Sequence, residues 1–297
     1  MDSSLIENSP LRDSLRGESH VANGVLHAAL QIRGRTHQLW NALLGRQCVH
    51  MLHIGKTGGT AMKTAFRQIA DRVLVTYSHG RRTVKASFRQ ARGGRDLVLR
   101  LHPHNFTLRN VPVGDKVFFF VRDPLARFVS GFYSRKRQGQ PRRLKRWTPA
   151  EATAFARFET PNALGGALAS QDPSIREAAV AAMRGITHVQ SSYWDWFRDS
   201  AYFESRLNDI LFIGFQETLD DDFEILKSLL NLPSHARLPA DDVTSHRSPR
   251  GLDRTLDDTA EAAVRKWYAR DYEFLDRCRS LRSRWCQSNC EPAANAA

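Results

Sequence analysis

The sequence predicts an α/β fold, with a central, mainly parallel sheet flanked by helices. Three stretches predict it. Residues 48–54 are mostly apolar and break into a glycine-rich turn, after which residues 61–66 lack Gly and Pro and read as a helix. Residues 117–121, Val-Phe-Phe-Phe-Val, are apolar at every position, as a parallel strand covered on both faces must be. Residues 209–214 give a further strand, and 215–230 lead from it into a helix. Strands alternating with helices build a doubly wound sheet.

A chain of 297 residues, 41% hydrophobic, can bury the core of one large α/β domain or two small ones. Residues 1–19 are polar, with no apolar segment. They read as a disordered tail and not as a secretory leader. Val21, Val25, Leu26, Leu30, Trp40, Leu43 and Leu44 recur at helical spacing, so residues 20–46 read as a helical extension packed on the core. A membrane-surface helix is the rival reading, opposed by Gly24, Gly34 and a mixed polar face. The expected organisation is one domain over 20–282 and an irregular tail over 283–297. No run of eighteen apolar residues predicts a transmembrane anchor. The net charge of +13 points to anionic ligands or surfaces. Cys48, Cys278, Cys286 and Cys290 lack paired Cys-x-x-Cys units, so no metal is expected. Reduced thiols suit a cytoplasmic protein, soluble or peripheral to a membrane, and a disulfide in the tail is left open.

Between the anchors, residues 73–77 read as a second strand and 79–95 as a basic connection. Residues 98–101 read as a third strand, ending at His102-Pro103-His104. Residues 134–147 are rich in Arg and Lys and read as an exposed loop. Residues 148–169 and 173–184 read as helical, and 259–281 as one long helix. Residues 185–197 are dense in aromatics and hydroxyls, which suits core packing or a sugar or aryl acceptor.

Two motifs carry chemistry. The first is His53-Ile54-Gly55-Lys56-Thr57-Gly58-Gly59-Thr60, at the turn from strand to helix. Its glycines let backbone approach an anion, the helix start offers free N–H groups, and Lys56, Thr57 and Thr60 add a charge and hydroxyls. It is not a Walker A loop, because position 50, where that motif needs Gly, is His50. The second follows residues 117–121: Arg122-Asp123-Pro124, then Arg127, Ser130 and Tyr133. Asp123 is placed to cap a helix whose first residue is Pro124. Both motifs fall at the carboxyl ends of strands, where open α/β sheets bind ligands.

The order of these motifs resembles the sulfotransferases that use 3′-phosphoadenosine 5′-phosphosulfate (PAPS) and release PAP. The resemblance covers about residues 48–280 and implies a P-loop-like, three-layer α/β fold. It implies that Lys56, Thr57, Gly58, Gly59 and Thr60 hold the 5′-phosphosulfate. Arg122 and Ser130 would grip the 3′-phosphate, with Arg127 assisting or bracing the loop. Ser248 lies in a stretch similar to the family's late loop over the nucleotide. The branch that sulfates carbohydrates, including heparan sulfate 2-O-sulfotransferase, carries His-Gly-His where this chain has His102-Pro103-His104. His104, then His102, is therefore the expected general base for an acceptor hydroxyl, beside Lys56 on the leaving phosphate. His188, Tyr193 and Trp194 are acceptor-binding candidates. The acceptor implied is a carbohydrate or glycolipid hydroxyl, with an anionic glycan or lipid head group suited to the charge. No metal and no specific nucleic acid are implied. The alternatives are a nucleotide-dependent phosphoryl-transfer enzyme, a non-catalytic polyanion or nucleic-acid binder, and a sulfotransferase-like pseudoenzyme.

Overall fold

The computed structural model of the protein describes residues 32, 35–36, 38–78, 81–89, 95–141, 144–241 and 251–290. Ser248, the tail over 1–19 and most of the N-terminal extension lie outside them. Six strands form one sheet: β1 Arg46–Met51, β2 Arg72–Ser78, β3 Arg81–Phe88, β4 Asp96–Leu101, β5 Lys116–Val121 and β6 Ile210–Phe215, in the order β2-β3-β4-β1-β5-β6. β4, β1, β5 and β6 pair in parallel, and β3 pairs antiparallel with both β2 and β4. The α/β fold with a mainly parallel sheet is therefore as expected.

Helices flank the sheet: α1 Gly59–Ile69, α2 Pro124–Lys136, α3 Pro149–Arg157, α4 Pro161–Leu168, α5 Pro173–Gly185, α6 Trp194–Phe197, α7 Ser200–Ser205, α8 Leu219–Leu229, α9 Asp258–Trp267 and α10 Ala269–Cys290. One sheet face packs Val49, Met51, Leu99, Phe118 and Phe120 against Met62 and Phe66 of α1 and Phe223 and Leu226 of α8. The other packs Val117, Phe119 and Val121 against Phe197, Phe203, Phe274 and Leu275. A third cluster joins α2 to α3, α5 and α9. Each fully buried aromatic or aliphatic side chain contributes about 1.5–3 kcal/mol, which explains why the uniformly apolar β5 lies inside the sheet, between β1 and β6, with both faces covered.

Four elements depart from the sequence reading. The stretch read as a basic connection contains β3, a strand whose alternate residues Val84, Ala86 and Phe88 face the core. Its hairpin makes β2 an edge strand, leaving Val73, Leu74 and Val75 between 42% and 44% exposed. The long C-terminal helix breaks at Tyr268, whose hydroxyl donates to the Val189 carbonyl at 2.5 Å. Its second half continues through the expected irregular tail as far as Cys290. Residues 134–147 are not a simple solvated loop. Arg135, 2% exposed, donates two 2.6 Å bonds to Glu151, from Nε and Nη2, while Nη1 reaches the carbonyl of Lys145 and Nη2 also that of Arg146. Hydrophobic count did not reveal this strap, because an arginine and a glutamate hold it.

Candidate active site

The site forms where β1, β4 and β5 end. After β1 the chain turns through Lys56, which takes the left-handed conformation at φ 69. A non-glycine residue there carries strain, and such strain gathers at functional loops. Gly58 follows at φ 85, in a position where a Cβ would meet Leu219 Cδ2 at 2.9 Å. Gly59 lies so close to His53 that a Cβ would come within 2.2 Å of its ring. No side chain caps α1, so its first N–H groups face the loop with the positive end of the helix dipole. Thr57 is 1% exposed and donates its hydroxyl to the Ile54 carbonyl at 3.0 Å. That corrects one expectation: the Thr57 side-chain donor braces the turn, leaving its backbone to face a ligand.

The second motif braces the first. Asp123 accepts from Ala126 N at 2.9 Å and caps α2, with Pro124 at its start, as the spacing predicts. Arg127, 2% exposed, donates Nε to the Gly55 carbonyl at 3.2 Å, with its guanidinium 4.7 Å from the Tyr193 ring centre. Arg122 Nη1 reaches the Lys56 carbonyl at 3.4 Å. Arg122 and Ser130 line a cavity of about 400 Å³ with Tyr133, Arg254 and Leu256. Arg122 Nε, Arg127 Nη2 and Arg137 Nη1 are buried without a hydrogen-bond partner. Buried donors without partners, on arginines that reach or surround the Lys56 loop, are groups an anion can satisfy.

The cations crowd. Desolvation, then the charges of Arg122 and Arg137, lowers the Lys56 pKa to about 8. Desolvation also lowers Arg122, and Arg254 adds to it. Arg137 and Lys145, both from the strap after α2, were missed in the sequence because that stretch reads as solvated. Arg137 acts on Lys56, and Lys145 on His104 and His188.

The histidines divide by hydrogen bonding. His104 Nδ1 donates to the His53 carbonyl at 3.0 Å, which fixes the tautomer and leaves the Nε2 lone pair free. Its carbonyl accepts from Trp196 Nε1 at 2.8 Å, and its ring lies 3.8 Å from that of His53. Desolvation, then Lys63, lowers its pKa to about 4. His188, at φ 74, stands 5.6 Å from His104, ring to ring, with Nδ1 3.1 Å from where a Gly55 Cβ would be. It thus joins the Lys56 cleft, and desolvation and Lys56 lower its pKa to about 2.

His102 does not join it. It is 2% exposed, stacked 3.5 Å from Phe106, with Nε2 2.9 Å from His50 and Nδ1 3.3 Å from Thr83 Oγ1. Both ring nitrogens are engaged, so the expectation that it could serve as a base is corrected. Tyr193 and Trp194 are likewise given to packing. Tyr193 is 0% exposed and its hydroxyl exchanges bonds with the Arg122 backbone, at 2.9 Å to N and 2.5 Å to O. Trp194 donates to the Arg270 carbonyl and packs on Phe274. Tyr193 is closed to an acceptor, and Trp194 stays half-buried.

Among the described residues, no helix is long and apolar enough to cross a membrane. No curated protein matches the sequence. The model of the Sulfotransferase family matches residues 44–276, well over half the chain, and spans both motifs. The chain belongs to the sulfotransferase family, transferases that take PAPS as donor and carry its sulfuryl group to a hydroxyl acceptor.

Proposed function

We propose that this protein transfers the sulfuryl group of PAPS to a hydroxyl of an anionic carbohydrate or glycolipid, with His104 as general base. One observation carries the reading. The loop of Lys56 and the start of α2 are bonded to each other, Arg127 to Gly55 and Arg122 to Lys56, so two cationic pockets share one wall. PAPS supplies an activated sulfuryl group with phosphates at two ends, which suits two pockets in one cleft. The backbone from Thr57 to Thr60 holds the 5′ end, with Thr60 adding a hydroxyl. Lys56 faces charge that develops there. Arg122 and Ser130 hold the 3′ end, and Arg127 braces the loop from beneath. His104 Nε2 accepts the acceptor proton, and His188 orients the hydroxyl.

Lys63, Lys145, Lys56 and Arg127 surround His104 and His188 with positive charge. This supports an anionic acceptor. The family match over 44–276 supports one catalytic domain within 20–282. The free thiols of Cys48, Cys278 and Cys286 support a reducing, cytoplasmic setting.

Calorimetry with PAP, and with ATP and Mg²⁺ as control, tests the donor. A donor-dependent gain of one sulfate, read by mass spectrometry against glycan, glycolipid and phenolic acceptors, tests the reaction. Binding of PAP with His104→Gln inactive and His102→Gln active is expected. Heat from ATP with Mg²⁺ but none from PAP would overturn the assignment.

A further inference from the structure

A second cluster lies behind β1, on the sheet face that also carries Val117 and Phe119. Cys48 and His50 are two apart on one strand, so their side chains share that face. β1 pairs with β5 at Val49↔Lys116, which brings Asp115, at the foot of β5, beside them. Cys48 Sγ lies 3.7 Å from His50 Nε2, and His50 Nε2 lies 3.0 Å from Asp115 Oδ2. All three donor atoms fall within 4.8 Å of one another. A tetrahedral ion with bonds of about 2.0–2.3 Å spans edges of about 3.3–3.8 Å, close to the two contacts that His50 makes. The three residues are 9%, 1% and 6% exposed.

Surrounding bonds aim the donors. His50 Nδ1 meets His102 Nε2 at 2.9 Å, and His102 Nδ1 meets Thr83 Oγ1 at 3.3 Å. A proton on each Nδ1 satisfies both contacts, and the proton that His50 Nε2 donates to Asp115 Oδ2 at 3.0 Å is the one an ion would displace. Gln38 Nε2 donates to Asp115 Oδ1 at 2.9 Å and to the Val113 carbonyl at 2.9 Å, leaving Oδ2 to face His50. Outer bonds of this kind orient metal ligands and fix their tautomer. A thiolate and a carboxylate cancel a divalent charge, and sulfur with imidazole suits zinc-type ions over magnesium or calcium. Arg100, opposite His50 in register, supplies the only cation that faces all three groups among the described residues.

We propose that Cys48, His50 and Asp115 form a binding site for a zinc-class divalent ion, with water completing the shell. It ties β1 to β5 and, through Gln38, to the segment before β1. It is separate from the transfer site and takes no part in the reaction, so it stands or falls independently of the sulfotransferase reading. The sequence hides it because Cys-x-His is joined by an aspartate 65 positions away.

The experiment is a cobalt(II) titration of the full chain after chelator dialysis. One equivalent bound, with a near-ultraviolet thiolate-to-cobalt band that zinc bleaches, is expected. Cys48→Ser should abolish the band, His50→Gln and Asp115→Asn should weaken binding at least tenfold, and Cys286→Ser should leave it unchanged. Native mass spectrometry of the wild-type chain decides the matter even if the variants fail to fold. Folded wild-type protein that takes up no cobalt or zinc, or a band that survives Cys48→Ser, would overturn the proposal.

Discussion

Lys56 and His104 together set the expected pH dependence. In the free protein Lys56 titrates at about 8 because it is desolvated and faces Arg122 and Arg137. His104 titrates at about 4, through desolvation and then Lys63, with Lys56 and Lys145 beyond. The profile of kcat/KM reports groups in the free enzyme. The base works unprotonated, so activity rises through about pH 4 and not near the ordinary histidine value of 6.5. Lys56 works protonated, so activity falls above about pH 8, tenfold per pH unit where only one group titrates. Lys56→Arg keeps the charge on a group that does not titrate in this range, so the alkaline limb should move beyond pH 10 while the acid limb stays. His104→Gln should cost about 10²–10⁴ in kcat and remove the acid limb. The assay is initial rate of sulfate transfer at subsaturating acceptor from pH 4 to 10, with stability checked at each end. An alkaline limb unmoved in Lys56→Arg would show that another group sets it, and an acid limb near 6.5 would refute the environment assigned to His104.

The same burial makes Lys56 costly to the fold. Its folded pKa lies below its unfolded one, so the charged form is penalised at neutral pH and the penalty is relieved as pH rises from about 8 toward 10.5. Lys56→Met should therefore stabilise the ligand-free protein by about 1–2 kcal/mol at pH 7, after discounting for partial exposure, while abolishing turnover. Thermal and urea unfolding check it. Glu151→Gln should destabilise by about 3–5 kcal/mol, because it strands the buried Arg135 and loosens the strap that carries Arg137 and Lys145. Glu151 titrates at about 2 against an ordinary 4.5, so the stability it gives should fade as pH falls from about 4.5 toward 2. Tyr193→Phe should weaken PAP binding several-fold in calorimetry with little change in kcat, since its hydroxyl holds the backbone of Arg122 and touches nothing in the cleft.

The amino-acid order alone determined the α/β class, because a strand that is apolar at every position has few other homes. It also determined the strand-to-helix turn at Lys56 and the helix start at Asp123-Pro124, since glycine placement and the Asp123-Pro124 cap are local chemistry. It could not separate His102 from His104. They are two residues apart on one segment, and only the packing of Phe106 and the reach of His50 remove His102 from the cleft. Tyr193 and Trp194 were ambiguous for the same reason: aromatics serve core and ligand alike, and Phe274 claims both. β3 was hidden by its polar face, and the strap by a buried ion pair that no hydrophobic pattern records. Those features depend on partners such as Glu151, 16 positions from Arg135, and His50, 52 positions from His102. Distance along the chain carries no information about them, so only the folded arrangement could decide which charged and ring-bearing side chains face the cleft.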